Sequence, residues 1–190
     1  MDKSRLEAFS DGVIAIILTI MVLDLKVPKE PTLDALGNLW PVYVAYTLSC
    51  GNVFFVWLNH HDIFASLKEV DRPLLLWNGL LLLLASLIPF VTSFASESYW
   101  TAPLPVSLYG LVMVAVSLAF VRLRKTAERH TRDKQSAAHH TAEARISLFF
   151  AAASLLGSVC GWFVPKSALF LYAAVPLTRG LFWSFGHRRK

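Results

Sequence analysis

Long apolar runs recur along the 190 residues, and each is about the length that crosses a bilayer, roughly 17–25 residues for a ~30 Å hydrocarbon core. They read as helices over Leu6–Leu25, Leu39–Phe64, Leu74–Phe94, Leu104–Val121, Ile146–Val164 and Ser167–Phe185. In lipid every backbone N–H and C=O must be satisfied inside the protein, so such runs fold as helices packed side by side. The sixth run carries Pro176, Arg179 and Gly180. Membrane helices tolerate such residues where neighbours satisfy the freed backbone groups. The expected fold class is all-α, a polytopic membrane protein with six transmembrane helices forming one domain over residues 1–190. Charged residues are 16% of the chain, against about 25% in a soluble domain. The first run follows an acidic residue and has no small-residue cleavage site after it, so it reads as a retained helix.

Basic residues set the orientation. Of 18 Lys and Arg, only Lys26, Lys29 and Lys166 fall in the loops after helices one, three and five. The segment Arg122 to Arg145 and the tail Arg188-Arg189-Lys190 dominate the other side. The positive-inside rule then places both termini in the cytoplasm, with a cell membrane as the default location. The net charge of +5 is this asymmetry, not a nucleic-acid footprint. Arg122 to Arg145 reads as an exposed, partly helical loop drawn to anionic lipid, with His139 and His140 solvated. Cys50 and Cys160 lie in apolar runs, with no metal-ligand spacing and no support for pairing.

Helix one opens with Arg5, Phe9, Ser10, Asp11 and Gly12 before turning wholly apolar. A carboxylate at that depth is expensive and marks a functional site by default. Helix two returns to the same level at Trp57, Asn59, His60, His61 and Asp62, and helix three starts there with Trp77 and Asn78. Asp11 needs donors, and Arg5, His60 or His61, Asn78 and the Trp77 indole are at hand. A polar cluster locking helices one, two and three together is expected. His-His-Asp in succession does not give the i, i+4 spacing by which one helix face ligates metal, so no metal site is expected.

The other side of helix one is clean. Ile16, Ile20 and Leu23 follow i, i+4, i+7 and share a stripe, which Gly12 and Phe9 continue toward the cytoplasm. Thr19 flanks the stripe by about 60°, and Asp11 lies about 140° from Ile16. Arg5 falls within about 20° of the Ile16 direction, so it faces either the mouth of that stripe or, if helix one bends at Gly12, Asp11. By periodicity alone the stripe meets lipid or packs in a bundle.

Arg5-x-x-x-Phe9-Ser10-Asp11-Gly12 resembles the Arg-x-x-x-Phe-Ser-Asp-Gly signature on helix one of the transmembrane-protein-175 family, lysosomal-type potassium channels and their prokaryotic relatives. His60-His61, Leu76-Trp77-Asn78 and Pro89-Phe90 extend the resemblance, which is strongest from Arg5 to Phe90. The resemblance implies a single six-helix repeat that assembles as a homotetramer in the lipid bilayer, with four copies of helix one lining a central pore for monovalent cations. Carried over by position, Ile16 forms the narrowest ring, Thr19 a hydroxyl layer and Leu23 a further ring, while Ile20 trades with Thr19 on a small rotation. It implies a potassium-permeable, weakly selective channel and no enzyme, with no cofactor beyond the permeant potassium ion. The chain has no Thr-Val-Gly-Tyr-Gly filter, so a hydrophobic constriction is expected to gate by dewetting. The competing reading is a membrane enzyme or metal/cofactor protein built on His60, His61 and Asp62. A coupled transporter is disfavoured, because no inverted pair of broken helices is evident.

Overall fold

The computed structural model describes residues 2–98, 100–131 and 133–174. Among them, five helical stretches are long and apolar enough to cross a membrane: Lys3–Leu23, Trp40–Ser66, Arg72–Glu97, Pro103–His130 and Lys134–Phe163. Residues 165–174 are also helical. They begin the expected sixth helix; the rest of it, with Pro176, Arg179 and Gly180, lies outside the described residues.

The first helix, α1 (Lys3–Leu23), starts at Asp2, whose carboxylate accepts the Ser4 N–H. It buries Leu6, Ser10, Ile14, Ile17 and Met21, a stripe at helical spacing. That stripe packs on α3 (Trp40–Ser66), α4 (Arg72–Ala85) and α5 (Ile88–Glu97). A short exposed helix, α2 (Leu33–Gly37), capped by the Thr32 hydroxyl, precedes α3.

Helix three, expected as one piece over Leu74–Phe94, is two. It breaks at Ser86-Leu87, between α4 and α5. Pro89 is the cause: it has no N–H to donate to the carbonyl of Ala85, and its ring crowds that carbonyl. The two pieces still run as one span.

The larger departure is at the basic segment. Instead of the exposed, partly helical loop expected over Arg122 to Arg145, α6 (Pro103–Ala127) continues past the membrane run, a 3₁₀ turn (Glu128–His130) follows, and α7 (Lys134–Phe163) begins shortly after. Arg, Lys, Ala, Gln and Glu are good helix formers, so helix continues once it has left the hydrocarbon. The turn is tied to the α3–α4 connection: Leu67 and Thr131 form an antiparallel bridge, and the Lys68 N–H donates to the His130 carbonyl. Asp71 caps α4 through the Leu74 N–H, while its second oxygen lies 2.9 Å from His130 Nε2.

The pair α6–α7 is the most extensive helix contact, and it is close because small residues line it. Ser107 and Ser158 exchange hydroxyl-to-carbonyl bonds of 2.8 and 2.7 Å. A side chain at Gly110 or Gly157 would overlap the Tyr172 ring, whose hydroxyl donates to the Val106 carbonyl.

Candidate functional site

With Ser10 turned inward on α1, Asp11 falls about 100° round the helix, on the flank facing α3. There the Trp57 indole N–H donates to Asp11 Oδ1 at 3.1 Å. The donor is thus Trp57, and not Arg5, a histidine, Asn78 or Trp77. Trp57 also stacks on His61, ring centres 5.8 Å apart.

The lock between α1, α3 and α4 is made one residue away, through Ser10. Asn78 Nδ2 donates to Ser10 Oγ at 3.0 Å, and Ser10 Oγ donates to the Leu6 carbonyl. Asn78 Oδ1 lies 2.9 Å from His60 Nε2. An amide oxygen only accepts, so Nε2 carries the proton. His60 and Asn78 are buried, His60 stacks on Phe64, and His60 Nδ1 has no partner among the described residues.

Trp77 stands outside this network. Being next to Asn78, it points about 100° away, toward α6. There the Arg122 guanidinium lies 5.8 Å from its ring centre. Arg5 is exposed and makes no bond to Asp11.

The opposite face of α1 is uncovered in the protomer. Ile16 is 58% exposed, Ile20 45%, Leu23 80% and Phe9 62%. Thr19 is exposed too, and its hydroxyl donates to the Ile16 carbonyl at 3.0 Å. That bond uses the hydroxyl proton, so the oxygen lone pairs remain available to a cation. Nothing lies within 4 Å of a Cβ built on Gly12.

Two polar clusters went unread in the sequence. In the middle of the bundle, Ser49 Oγ lies 2.7 Å from Thr92 Oγ1 and 3.1 Å from the Tyr109 hydroxyl, to which Asn52 also donates. At the basic end, Arg124 is fully buried: it donates to Asn59 Oδ1 at 2.6 Å and to His140 Nδ1 at 3.3 Å, and lies 3.7 Å from Glu143. Nδ1 therefore accepts, and His140 donates its ring proton from Nε2 to Ser66 Oγ at 2.8 Å, while Ser66 donates to the Ile63 carbonyl. The expectation of a solvated His140 is therefore wrong. Extended helices α6 and α7 fold its ring inward against Arg124, and Ser66 satisfies it. His139 lies beside it, exposed.

A family model described as endosomal/lysosomal potassium channel TMEM175 matches residues 5–89. A potassium channel of Chryseobacterium sp. is 37% identical over 180 residues, covering 93% of this chain and 92% of the relative. The chain belongs to the TMEM175 family. Another family potassium channel, from Chamaesiphon minutus, is 37% identical over 134 residues, 66% of each chain. Among solved structures, that of a lysosomal potassium-selective TMEM175 homologue from the same organism superposes with a TM-score of 0.84 at 28% identity, covering 94% of this chain and 96% of the other.

Membership in the TMEM175 family sets aside the enzyme reading of His60, His61 and Asp62, since these relatives are channels. His60 bonds to Asn78 and His61 stacks on Trp57, so the two rings serve different partners. Among the described residues, no group of three His, Cys, Asp or Glu side chains gathers as metal ligands.

Proposed function

We propose that the pore of this potassium-permeable channel is walled by four copies of α1, one from each subunit of a homotetramer, each subunit contributing one six-helix repeat. The observation that carries this reading is the division of α1. One face, Leu6 to Met21, is sealed against the protomer, with Ser10 and Asp11 bonded to α4 and α3. The face bearing Ile16, Ile20 and Leu23 is left bare.

Around an axis, Ile16 forms the narrowest ring and Leu23 a wider one, with Ile20 between. A ring of branched aliphatic side chains excludes water when narrow, and a small outward tilt of four helices wets it. Thr19 follows Ile16 by about one turn and offers its lone pairs to a cation that has shed part of its water. No carbonyl cage replaces the hydration shell. Discrimination rests on pore width and on the lower cost of stripping water from the larger ion, so selectivity for potassium over sodium is weak.

Arg5 lies toward the cytoplasmic mouth rather than on Asp11. Gly12, bare of neighbours, permits bending at the base of α1. Both termini face the cytoplasm of a cell membrane, by the distribution of basic residues.

The test is Ile16→Asn in vesicles reconstituted with the purified protein. Potassium flux rises severalfold over the wild type, because a polar ring no longer dewets. Unchanged flux in a variant that keeps the wild-type assembly size contradicts Ile16 as the constriction.

A further inference from the structure

At the basic end of the bundle, Arg72, Leu76 and Leu80 follow i, i+4, i+8 on α4 and form one stripe. With Pro73 and Trp77 they line a groove of about 490 Å³ on the bundle's outer surface. Leu76 is 75% exposed. Arg72 stands at the head of the groove, and Leu80 lies about 12 Å deeper along the helix. From α6, Arg122 reaches across to the Trp77 side of the groove, its guanidinium 5.8 Å from the ring centre, within cation–π range. Two exposed arginines thus border the apolar groove, Arg72 in its lining and Arg122 over its Trp77 side.

Among the described residues neither Arg72 nor Arg122 is in an ion pair. The adjacent carboxylate, Asp71, is already taken by the Leu74 N–H and by His130.

We propose that this groove binds one anionic glycerophospholipid from the leaflet at the basic end. Its phosphate sits between Arg72 and Arg122, and an acyl chain lies over Leu76 and Leu80. Guanidinium forks suit phosphate oxygens and hold them by charge-assisted hydrogen bonds. Trp77, with its amphipathic ring, belongs at headgroup depth, and Arg122 holds it there. Charge complementarity selects the lipid over a helix of a second copy, which would cover the leucines but leave both arginines unmatched. The site does not depend on where the pore lies.

The test is native mass spectrometry of the full chain in detergent, titrated with phosphatidylglycerol or phosphatidylcholine. The wild type retains phosphatidylglycerol in preference. Each basic residue near such a headgroup contributes about fivefold in affinity, so the double variant R72Q/R122Q loses about twenty-five-fold for phosphatidylglycerol and nothing for phosphatidylcholine. Equal retention of the two lipids, or a folded double variant that binds phosphatidylglycerol as the wild type does, overturns the site. A second readout needs no arginine variant. Quenching of the Trp77 fluorescence, isolated by subtracting Trp77→Phe, is stronger with brominated phosphatidylglycerol than with brominated phosphatidylcholine, and equal quenching refutes the proposal. Leu76→Cys, in a background without Cys50 and Cys160, stays unlinked in membranes; efficient cross-linking between copies would give the groove to a second subunit.

Discussion

Asn78 is the joint at which three helices meet, and removing it has a cost that follows from the geometry. It is 1% exposed and serves two partners, His60 Nε2 and Ser10 Oγ. In Asn78→Leu the His60 Nε2–H loses its acceptor, and His60 Nδ1 has no partner to compensate. A buried polar group left unmade costs about 1–3 kcal/mol. Ser10 keeps its bond to the Leu6 carbonyl, so its loss is that of an ordinary interhelical bond in a membrane, about 0.6 kcal/mol. The variant is destabilised by about 1.6–3.6 kcal/mol. His60→Phe retains the stack on Phe64 but strands the Asn78 oxygen, at about 1–3 kcal/mol. The double variant removes donor and acceptor together, and an apolar pair of similar shape is nearly neutral. Reversible unfolding in mixed micelles of all four proteins gives the coupling. It is about 2 kcal/mol or more if the bond works as described, the two single losses being far from additive. Additivity within about 0.5 kcal/mol refutes the lock.

Two further outcomes follow. Thr19→Val keeps the shape of the side chain and removes the oxygen, so the potassium-to-sodium permeability ratio in reversal-potential measurements changes while the yield of folded protein does not; an unchanged ratio removes Thr19 from selectivity. The Leu74 N–H, and next His130, hold the Asp71 carboxyl below its ordinary 3.8. A carboxyl depressed in the folded state contributes stability above its unfolded value and loses it as pH falls through the folded one. The wild type is therefore more stable than Asp71→Asn near neutrality, and the gap closes on acidification below about pH 4 in paired thermal melts. A gap that stays constant through that range contradicts the assignment.

Much of the fold was legible because lipid leaves so few options. Apolar runs of bilayer length become helices, and the division of helix one into a polar side and an aliphatic Ile16 stripe can be read from spacing, whereas its exposure in the protomer cannot, because periodicity equally allows packing in a bundle. What escaped was set by which partner a polar group finds. Asp11 was expected to draw on charged or nearby donors, yet the indole of Trp57 reaches it. The signal was present, since Trp57 lies three residues before His60 and shares its side of α3. Ser49, Asn52 and His60 likewise fall on one buried polar stripe of α3, which a reading by apolar runs passes over. Arg122 to Arg145 was misread because its charge resembled a solvated loop. The discriminating feature was the period: Phe120, Leu123, Arg124 and Ala127 form one buried face, so Arg124 is carried into the core with its helix. Pro89, read as part of a motif, was also the residue that breaks helix three.

The central claim is a pore built from the first helix, and a cryo-electron-microscopy map of the full chain in lipid nanodiscs tests it most directly. Four subunits around one axis, with α1 nearest that axis and the four Ile16 side chains facing one another, is the predicted result. Another helix lining the axis, or Ile16 directed into the surrounding lipid, would contradict the account.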